Sequence, residues 1–431
     1  MGLISFTILF AIITSLAIFY VHKSGGNFIQ PHAFYSAGVF ISLSVIPFVQ
    51  FFIVNLYDNM SGVILLNTMI ALSYISFSAG FFKKKKKSLK VLSGIVKGFD
   101  IKNVPKTVLS VHILIMVLAA VALFVYLAQK SGFGFVAWLL DPRQGYQNYR
   151  TGLGHLYVGS LAIWNFAFLY VLFFKVKKVR HLIGTTALFV LVLYFYGNKG
   201  VIVYAILESV VYYNFFINKI KLRGALIILG LFVIVFSFVF SLYSRQNNDM
   251  PLSNKILRYA DYYNNARMFY ADFAKDFEYA FGKEYLSSLW NYVPRAAYPD
   301  KPFSYGIVKY VVEEYYPHAG ERGHTPSFGA WIAGVEEYLN FGIAGVMLIG
   351  FMRGYFLSLF YRYFLRYRNF LGFVLFSNTM GFSIFPIISG SFYKILWYVL
   401  NILLLLLHKQ IMARASGTDS RAQLITIGST R

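Results

Sequence analysis

The residues most capable of chemistry lie between Pro294 and Gly342, in a chain that is otherwise strongly apolar. This segment contains PRAAYPDKPFSYG and then VEEYYPHAGERGHTPSFGAWIAGVEEYLNFG, which combine Arg, Lys, His and Glu with Pro and aromatic residues. A membrane protein places so many charged groups together only in water, in the headgroup layer or in a polar cavity. We therefore expect the functional site in this segment.

Cations in this segment are displayed in two different ways. In PRAAYPDKP, three prolines within nine residues exclude a helix and predict a rigid loop that carries Arg295 and Lys301. Farther along, Arg322 and His324 stand at a predicted helix start with Thr325 as its N-cap, and a helix N-terminus favours anions. Two interpretations stand: a phosphate-binding loop, or a connector with solvated charges.

Carboxylates follow near the predicted entry of a membrane span, at Glu336 and Glu337. A carboxylate in a partly dry site is kept only if it is paired or used, and pairing with a nearby arginine is the simpler interpretation. Inside predicted spans, Glu208 and Arg353 would each cost about 2.5 to 3.5 kcal/mol at mid-bilayer and could pair with each other. Lys199 lies in a predicted outer hairpin and can reach water.

Composition indicates what must position these groups. The 431 residues are 58% hydrophobic and only 13% charged, whereas a soluble domain carries about a quarter charged residues. The absence of cysteine excludes disulfides and thiolate chemistry. The eight His show neither HExxH nor a closely spaced pair, so we expect no cofactor and no metal held by His clusters. A metal bridged by substrate phosphates stays open.

Apolar runs long enough to cross a bilayer recur along the chain, which predicts an all-α polytopic membrane protein. The first, Leu3 to Val21, has no basic n-region and no small-residue cleavage site, so it is expected to be a retained span. We predict about eleven transmembrane helices, at 3–21, 33–56, 62–82, 107–128, 156–174, 182–197, 201–217, 224–243, 341–361, 370–389 and 394–408.

Basic residues set the orientation of these spans. The run Lys83 to Lys87 is assigned to the cytoplasm by the positive-inside rule, and alternation then places every other basic cluster on the same side. The N-terminus is therefore outside and the C-terminus cytoplasmic. The predicted divisions are 1–243 with an outer loop at 129–155, a large outer loop at 244–340 between spans 8 and 9, spans 9 to 11 at 341–408, and a disordered cytoplasmic tail at 409–431.

Acidic residues agree with this orientation, since twelve of the seventeen Asp and Glu lie between Asp249 and Glu337. The net charge of +23 is then mostly lysine and arginine on the inner face, where it contacts anionic membrane lipids. We accordingly exclude nucleic acid as a partner.

The outer loop at 129–155 reads QKSGFGFVAWLLDPRQGYQNYRTGLGH. Its glycines would let the backbone approach a ligand while Arg143 and Arg150 offer guanidinium forks suited to phosphate. Equally, both arginines could be interface anchors, or Asp141 could hold one of them. In the larger loop, aromatic residues between Lys255 and Trp290 recur at helical spacing, which predicts one or two amphipathic helices, with sugar stacking as a lesser alternative.

This layout resembles the Wzy-type O-antigen or capsule repeat-unit polymerases, of the O-antigen polymerase and ligase superfamily of GT-C-like membrane glycosyltransferases. Those proteins have many spans, two Arg-rich outer loops and, in some members, an R-x10-G pattern in each loop. Here Arg143 to Gly154 and Arg295 to Gly306 fit that spacing. The run HTPSFG…EEYLNFGIAG is also similar to the segment that precedes a late span in the family.

The resemblance implies a metal-independent enzyme of the bacterial inner membrane. It would transfer a glycan chain from undecaprenyl pyrophosphate to an incoming lipid-linked repeat unit on the outer face, with a chain-length regulator as a further partner. His324 would be the base that activates the acceptor, with Glu336 and Glu337 ranked behind it. The residues that would bind pyrophosphate and glycan are Arg143, Arg150, Arg295, Lys301 and Arg322.

Three other functions stay open. An O-antigen ligase would share the logic of the outer loops. A flippase or transporter would need charges along a central path, of which the sequence offers few. A membrane scaffold could dock partners or lipid through the cytoplasmic linker KKKKKSLKVLSGIVKGFDIKNVPK.

Overall fold

The computed structural model describes residues 2–23, 30–83, 86–96, 106–148, 153–221, 223–224, 230, 262–276, 278–287, 290, 293, 297–300, 334–384 and 402–411. Across these ranges the regular structure is helical, and no strand occurs in them. The predicted all-α class is confirmed for this part of the chain.

The helices are numbered here in chain order. They are α1 (Gly2–Lys23), α2 (Pro31–Phe40, continued by further helical turns to Ile53), α3 (Val63–Phe82), α4 (Lys86–Val96), α5 (Lys106–Lys130), α6 (Phe135–Leu140), α7 (Pro142–Asn148), α8 (Gly154–Lys175), α9 (Val179–Tyr194), α10 (Lys199–Tyr212, continued to Ile217), α11 (Tyr262–Asp276), α12 (Lys283–Ser287), α13 (Val335–Tyr367), α14 (Phe370–Ile384) and α15 (Ile402–Ile411).

Seven of the described helices are long and apolar enough to cross a membrane, which makes this a multi-pass membrane protein. They are Gly2–Tyr20, Pro31–Ile53, Val63–Phe82, Lys106–Lys130, Leu156–Lys175, Gly200–Ile217 and Val335–Tyr367. Two shorter apolar helices, α9 and α15, overlap the predicted spans 182–197 and 394–408. Most of the predicted span 224–243 lies outside the described residues, so the count of eleven and the orientation stay predictions.

The chain forms two compact units. The first comprises Met1–Lys85, Asn218–Tyr361 and Thr379–Lys394, and the second comprises Lys86–Ile217, Arg362–Asn378 and Ile395–Arg431. The first unit therefore contains α1 to α3, α11, α12 and the greater part of α13. The second contains α4 to α10 and α15.

Small residues let α3 and α13 pack closely in the first unit. A Cβ on Gly80 would overlap the backbone of Phe351, and one on Gly354 would overlap the carbonyl of Phe77. Close backbone approach through glycine is a usual way for membrane helices to associate, because lipid provides no hydrophobic force between them. This contact fixes the position of the segment of α13 around Gly354.

Helix α13 is broken at Phe341 and Gly342, which have non-helical backbone angles, with φ 61° and ψ −152° at Gly342. A break in a membrane helix frees carbonyls that must find other donors. Here the carbonyls of Leu339 and Asn340 accept hydrogen bonds of 3.0 Å from the backbone N–H groups of Ala280 and Phe281. The segment before α12 therefore completes the broken helix.

In the second unit, α5 and α8 pack along their buried faces. The Ser160 hydroxyl donates to the carbonyl of Ala120 at 2.8 Å. Trp138 of α6 is fully buried and donates its indole N–H to the carbonyl of Phe195 at 2.9 Å. The second bond holds the short helix α6 against the end of α9 in the same unit.

Candidate functional site

An ion pair between Glu337 and Arg353 is the centre of the candidate site. The Oε1 atom of Glu337 accepts from Nη2 of Arg353, and its Oε2 atom accepts from the backbone N–H of Gly334 at 2.5 Å. The Glu337 side chain is 1% exposed, whereas that of Arg353 is 21% exposed. The carboxylate is thus enclosed, whereas the Arg353 side chain is partly exposed.

Folding back at the helix break brings the two charges together. They are 16 residues apart, which in a straight helix would be about 24 Å. A Cβ on Gly345 would lie 2.5 Å from the carbonyl oxygen of Glu337. The helical turn before the break therefore lies directly against the part of α13 that follows the break. From Gly345 to Arg353 the helix rises about 12 Å. The Arg353 side chain points back toward the N-terminal end of its helix. The side chains of Glu337 and Arg353 can therefore together span that distance.

Further polar groups surround the pair. Tyr35 of α2 makes a side-chain hydrogen bond with Ser73 of α3 and lies within electrostatic reach of both Arg353 and Glu337. From α12, Tyr285 is buried, and its pKa is raised by that burial and further by Glu337 and Glu336. The phenol of Tyr285 is therefore neutral near the carboxylates.

Glu336 is also enclosed, with 1% of its surface exposed. The side chain of Asn340 fixes the backbone around Glu336. It donates to the Glu336 carbonyl at 2.8 Å and accepts from the N–H of Gly282 at 2.9 Å. The described cluster thus holds two carboxyl groups and one guanidinium. Within the described ranges, no three His, Asp or Glu side chains are grouped so as to hold a metal ion.

Helix α11 is held on the α3 end of the first unit by side-chain hydrogen bonds. The Tyr263 hydroxyl donates to Oδ1 of Asn67 at 2.6 Å, and Arg267 donates from Nη1 to the Ser61 carbonyl at 3.0 Å and from Nε to Oδ1 of Asn264, also at 3.0 Å. Burial raises the pKa of Tyr263 and lowers that of Arg267.

The aromatic stripe of α11 is mainly packing. Tyr263, Phe269 and Tyr270 are at most 1% exposed, and the Tyr270 hydroxyl donates to the carbonyl of Gly334 at 3.3 Å. Within this region the structure is helical over α11 and α12. The alternative that these three rings stack against a sugar is wrong, because the rings are enclosed.

Arg143 lies on α7 in the second unit. It is half-buried, and its guanidinium carbon lies 5.3 Å from the centre of the Tyr146 ring. Asp141, a suggested partner for the arginines of this loop, accepts from the backbone N–H of Gln144 at 3.1 Å and so caps the start of α7.

Five other expected site residues lie outside the described ranges. They are Arg150, Arg295, Lys301, Arg322 and His324. Gly306, which ends the second R-x10-G pattern, also lies outside them. The structure places Glu336 and Glu337 together in the first unit.

The partner suggested for Arg353 needs correction. Both oxygens of Glu208 accept from Nδ2 of Asn165, at 3.0 and 3.1 Å, whereas the ion pair of Arg353 is with Glu337. Sequence reasoning suggested Glu208 as the partner of Arg353 and missed Tyr35 and Tyr285 altogether. The glycines in NFGIAG, just before Arg353, were the available signal that the helix folds back.

Comparison with known proteins gives this arrangement a context. The chain is 27% identical over 263 residues to the O-antigen polymerase of Salmonella typhimurium (strain LT2) and, to the same extent, to that of Salmonella typhi. The chain is thus similar to two proteins named O-antigen polymerase. The predicted resemblance is thereby confirmed.

The extent of this match is limited in both directions. It covers 59% of this chain and 62% of each Salmonella protein, so the chain spans less than two thirds of the length of these curated relatives. No family model matches the chain, and no solved structure matches it.

Proposed function

We propose that this protein is a membrane glycosyltransferase that polymerises lipid-linked oligosaccharide repeat units. The donor is a glycan chain on undecaprenyl pyrophosphate, and the acceptor is an incoming lipid-linked repeat unit. The reaction takes place at the outer face of the bacterial inner membrane, and a chain-length regulator is a partner.

The relationship to two proteins named O-antigen polymerase is the observation that carries this proposal. The structure is consistent with it, because a multi-pass helical protein carries a partly exposed arginine beside enclosed carboxyl groups. A lipid-linked substrate stays in the bilayer, so its charged headgroup must be met by residues at or within the membrane.

The proposed reaction breaks the bond between the anomeric carbon of the donor glycan and its phosphate oxygen. A new bond forms from that carbon to a hydroxyl oxygen of the acceptor sugar. The hydroxyl proton passes to His324, and the lipid pyrophosphate leaves with the bonding electrons. Imidazole suits this proton transfer because its ordinary pKa is near neutral; Glu336 and Glu337 rank behind it.

Cations stabilise the leaving pyrophosphate in this scheme. Positioned donors aimed at developing negative charge are commonly the largest contribution to such catalysis. We assign this role to Arg143, Arg150, Arg295, Lys301 and Arg322. No metal is needed to neutralise the phosphates if this set does so.

Complementation of a polymerase-deficient strain tests the proposal. Arg295→Ala and His324→Ala are expected to lose the long-chain ladder of the surface polysaccharide on a gel, and Arg295→Lys to shorten it, because lysine keeps the charge but not the bidentate fork. Arg180→Ala and His181→Ala are matched controls on an exposed helix start, and both should give wild-type ladders.

Two outcomes would contradict the assignment. Wild-type ladders in Arg295→Ala and His324→Ala at normal protein level would remove these residues from the site. Loss of every attached chain, rather than retention of single repeats, would indicate a ligase. Purified protein that elongates a lipid-linked repeat unit in micelles would exclude a transporter and a scaffold.

A further inference from the structure

Helix α4 (Lys86–Val96) carries its charged and its apolar residues on opposite sides. Its sequence, KKSLKVLSGIV, contains no Asp or Glu. At about 100° per residue, Leu92 lies about 160° from Lys90 and about 140° from Lys87 around the helix. Leu89 lies only about 60° from Leu92. One side of α4 is therefore basic and the other is apolar.

The protein itself covers the apolar side of α4 only in part. Val91 is 63% exposed, Leu89 and Leu92 are half-buried, and none of the side chains described from residue 87 to residue 94 is buried. On the basic side, Lys87 and Lys90 are exposed. An exposed apolar side bordered by charged residues is typical of an interaction site for a protein or a membrane.

The membrane lies within reach of α4. Its eleven residues give a helix of about 16 Å, which is about half of the hydrocarbon core, so α4 cannot span the bilayer. Only Lys83 to Lys85 separate α4 from Phe82, the last residue of the apolar span Val63–Phe82. Four extended chain steps cover about 14 Å at most. The start of α4 is therefore held near the headgroup layer in which that span ends.

We propose that α4 lies along this membrane surface and binds anionic phospholipid. Its apolar side enters the boundary between headgroups and acyl chains, as the apolar side of an interfacial helix does. The lysines stay in the headgroup layer, within the about 10 Å over which a negatively charged surface attracts them. This binding surface is separate from the site of the proposed polymerase reaction.

Charge decides which lipid α4 prefers. Burial of the apolar side favours every phospholipid surface to a similar extent. Each lysine near an anionic surface strengthens binding by about 5-fold. A zwitterionic surface has no net negative charge and offers no such gain. Since α4 has no carboxylate of its own to neutralise its lysines, anionic headgroups are the favoured partners.

A protein partner is the competing occupant of the apolar side. Two copies of α4 packed against each other would bring lysines of like charge together, which weakens their association. Lysine is also depleted at the centres of protein interfaces. Both considerations favour the lipid surface, and the experiment below distinguishes the two occupants.

The absence of cysteine allows a direct test with the full chain. A single cysteine is introduced by Leu92→Cys, and the matched control is Gly94→Cys. Gly94 is exposed, nothing lies within 4 Å of the position its Cβ would take, and it is about 160° from Leu92 around the helix. Each cysteine is labelled with the fluorophore NBD, whose emission brightens when it leaves water.

The labelled proteins are placed in nanodiscs of phosphatidylcholine, with or without phosphatidylglycerol. Lipid that carries a doxyl group then quenches the labels that touch acyl chains. In discs with phosphatidylglycerol, we expect the label at position 92 to brighten and to be quenched. The label at position 94 should stay dim and unquenched. In discs of phosphatidylcholine alone, the label at position 92 should be dimmer.

Lysine variants test the contribution of charge. Lys87→Gln combined with Lys90→Gln should lower the ratio of inserted to free α4 in anionic discs by about 10- to 30-fold. The same pair of changes should have no effect in discs of phosphatidylcholine. Lys177→Gln combined with Lys178→Gln removes two exposed lysines elsewhere in the same unit and should leave the label at position 92 unchanged. High salt should act like the loss of Lys87 and Lys90, because it screens their attraction to the surface.

Three results would overturn the proposal. A label at position 92 that stays dim in anionic discs would show that α4 does not enter the membrane. A label that is bright but unquenched would show that protein covers the apolar side. Equal insertion in both kinds of disc would remove the preference for anionic lipid. Thermal melting identifies any loss of fold, and Leu89→Cys, on the same side of α4, replaces Leu92→Cys if that variant does not fold. None of these results bears on chain elongation, which the complementation experiment tests separately.

Discussion

Gly354→Ala should destabilise the protein although it adds only one methyl group. The new Cβ would overlap the carbonyl oxygen of Phe77 and lie 2.8 Å from its carbonyl carbon and 3.0 Å from the backbone nitrogen of Phe81. An ordinary contact begins at 3.4 Å, so relieving the contact with the carbonyl carbon alone would need about 0.6 Å, the difference between 3.4 and 2.8 Å. Because the carbonyl oxygen is closer still, the helices must part by more than this. These are backbone atoms, which cannot rotate away.

The free energy can be estimated from two opposing effects. Overpacking of this kind costs about 1 to 3 kcal/mol, and a gap of about 0.5 to 1 Å forfeits a quarter to a half of each dispersion contact along the crossing. Alanine gains about 1 kcal/mol over glycine in helix propensity. We therefore expect a net loss of about 1 to 2 kcal/mol for Gly354→Ala.

Gly184→Ala is the matched control. Gly184 is exposed within α9, and nothing lies within 4 Å of the position a Cβ would take. The propensity gain then stands alone, and stability should rise by up to about 1 kcal/mol. The same chemical change is thus expected to have opposite signs at the two glycines.

In Gly354→Ala, the loss of activity should be larger than the loss of stability by itself would cause. Arg353 is the preceding residue, and a misplacement of about 1 Å can cost roughly 100-fold in rate. Thermal melting in micelles measures the first effect, and polysaccharide chain length in a complemented strain measures the second. A melting temperature for Gly354→Ala at or above that of Gly184→Ala would refute the close-packed crossing.

The remaining predictions concern the break in α13 and the packing of α11. Gly342→Ala should lower the free energy of unfolding by about 1 to 3 kcal/mol, because φ 61° and ψ −152° suit only glycine. A Cβ on residue 342 would also lie 3.1 Å from the ring of Tyr279, but a second change, Tyr279→Ala, should not rescue the variant. Burial raises the pKa of Tyr263 and Tyr270 above 10, so the stability from their neutral phenols is complete below pH 10 and is lost as pH rises beyond it. Melting scans from pH 8 to 11 should show this fall, and the double Phe variant should flatten it. Arg267→Lys removes the guanidinium fork and with it the hydrogen bond from Nε to Asn264, so it should cost about 1 to 2 kcal/mol of stability and lower the melting temperature. An unchanged melting temperature would contradict the anchoring of α11.

Some of the candidate site could be predicted from sequence. Glu336 and Glu337 stand at the entry of an apolar run, and the cost of a dry carboxylate required that they be paired or used. The structure agrees for Glu337. Its partner could not be predicted, since Arg353 is 16 residues away and looked equally suited to Glu208.

What the sequence determined by itself is the membrane class, the helical fold and most span positions. These follow from hydrophobicity and run length, which add up residue by residue along the chain. Tertiary structure alone decided that Glu337 meets Arg353. That contact depends on the break at Gly342, on the close approach at Gly345 and on the hydrogen bonds from Ala280 and Phe281 that compensate for the break. The ion pair and the hydrogen bonds from Ala280 and Phe281 join residues that are distant in the chain, and local composition does not encode such contacts.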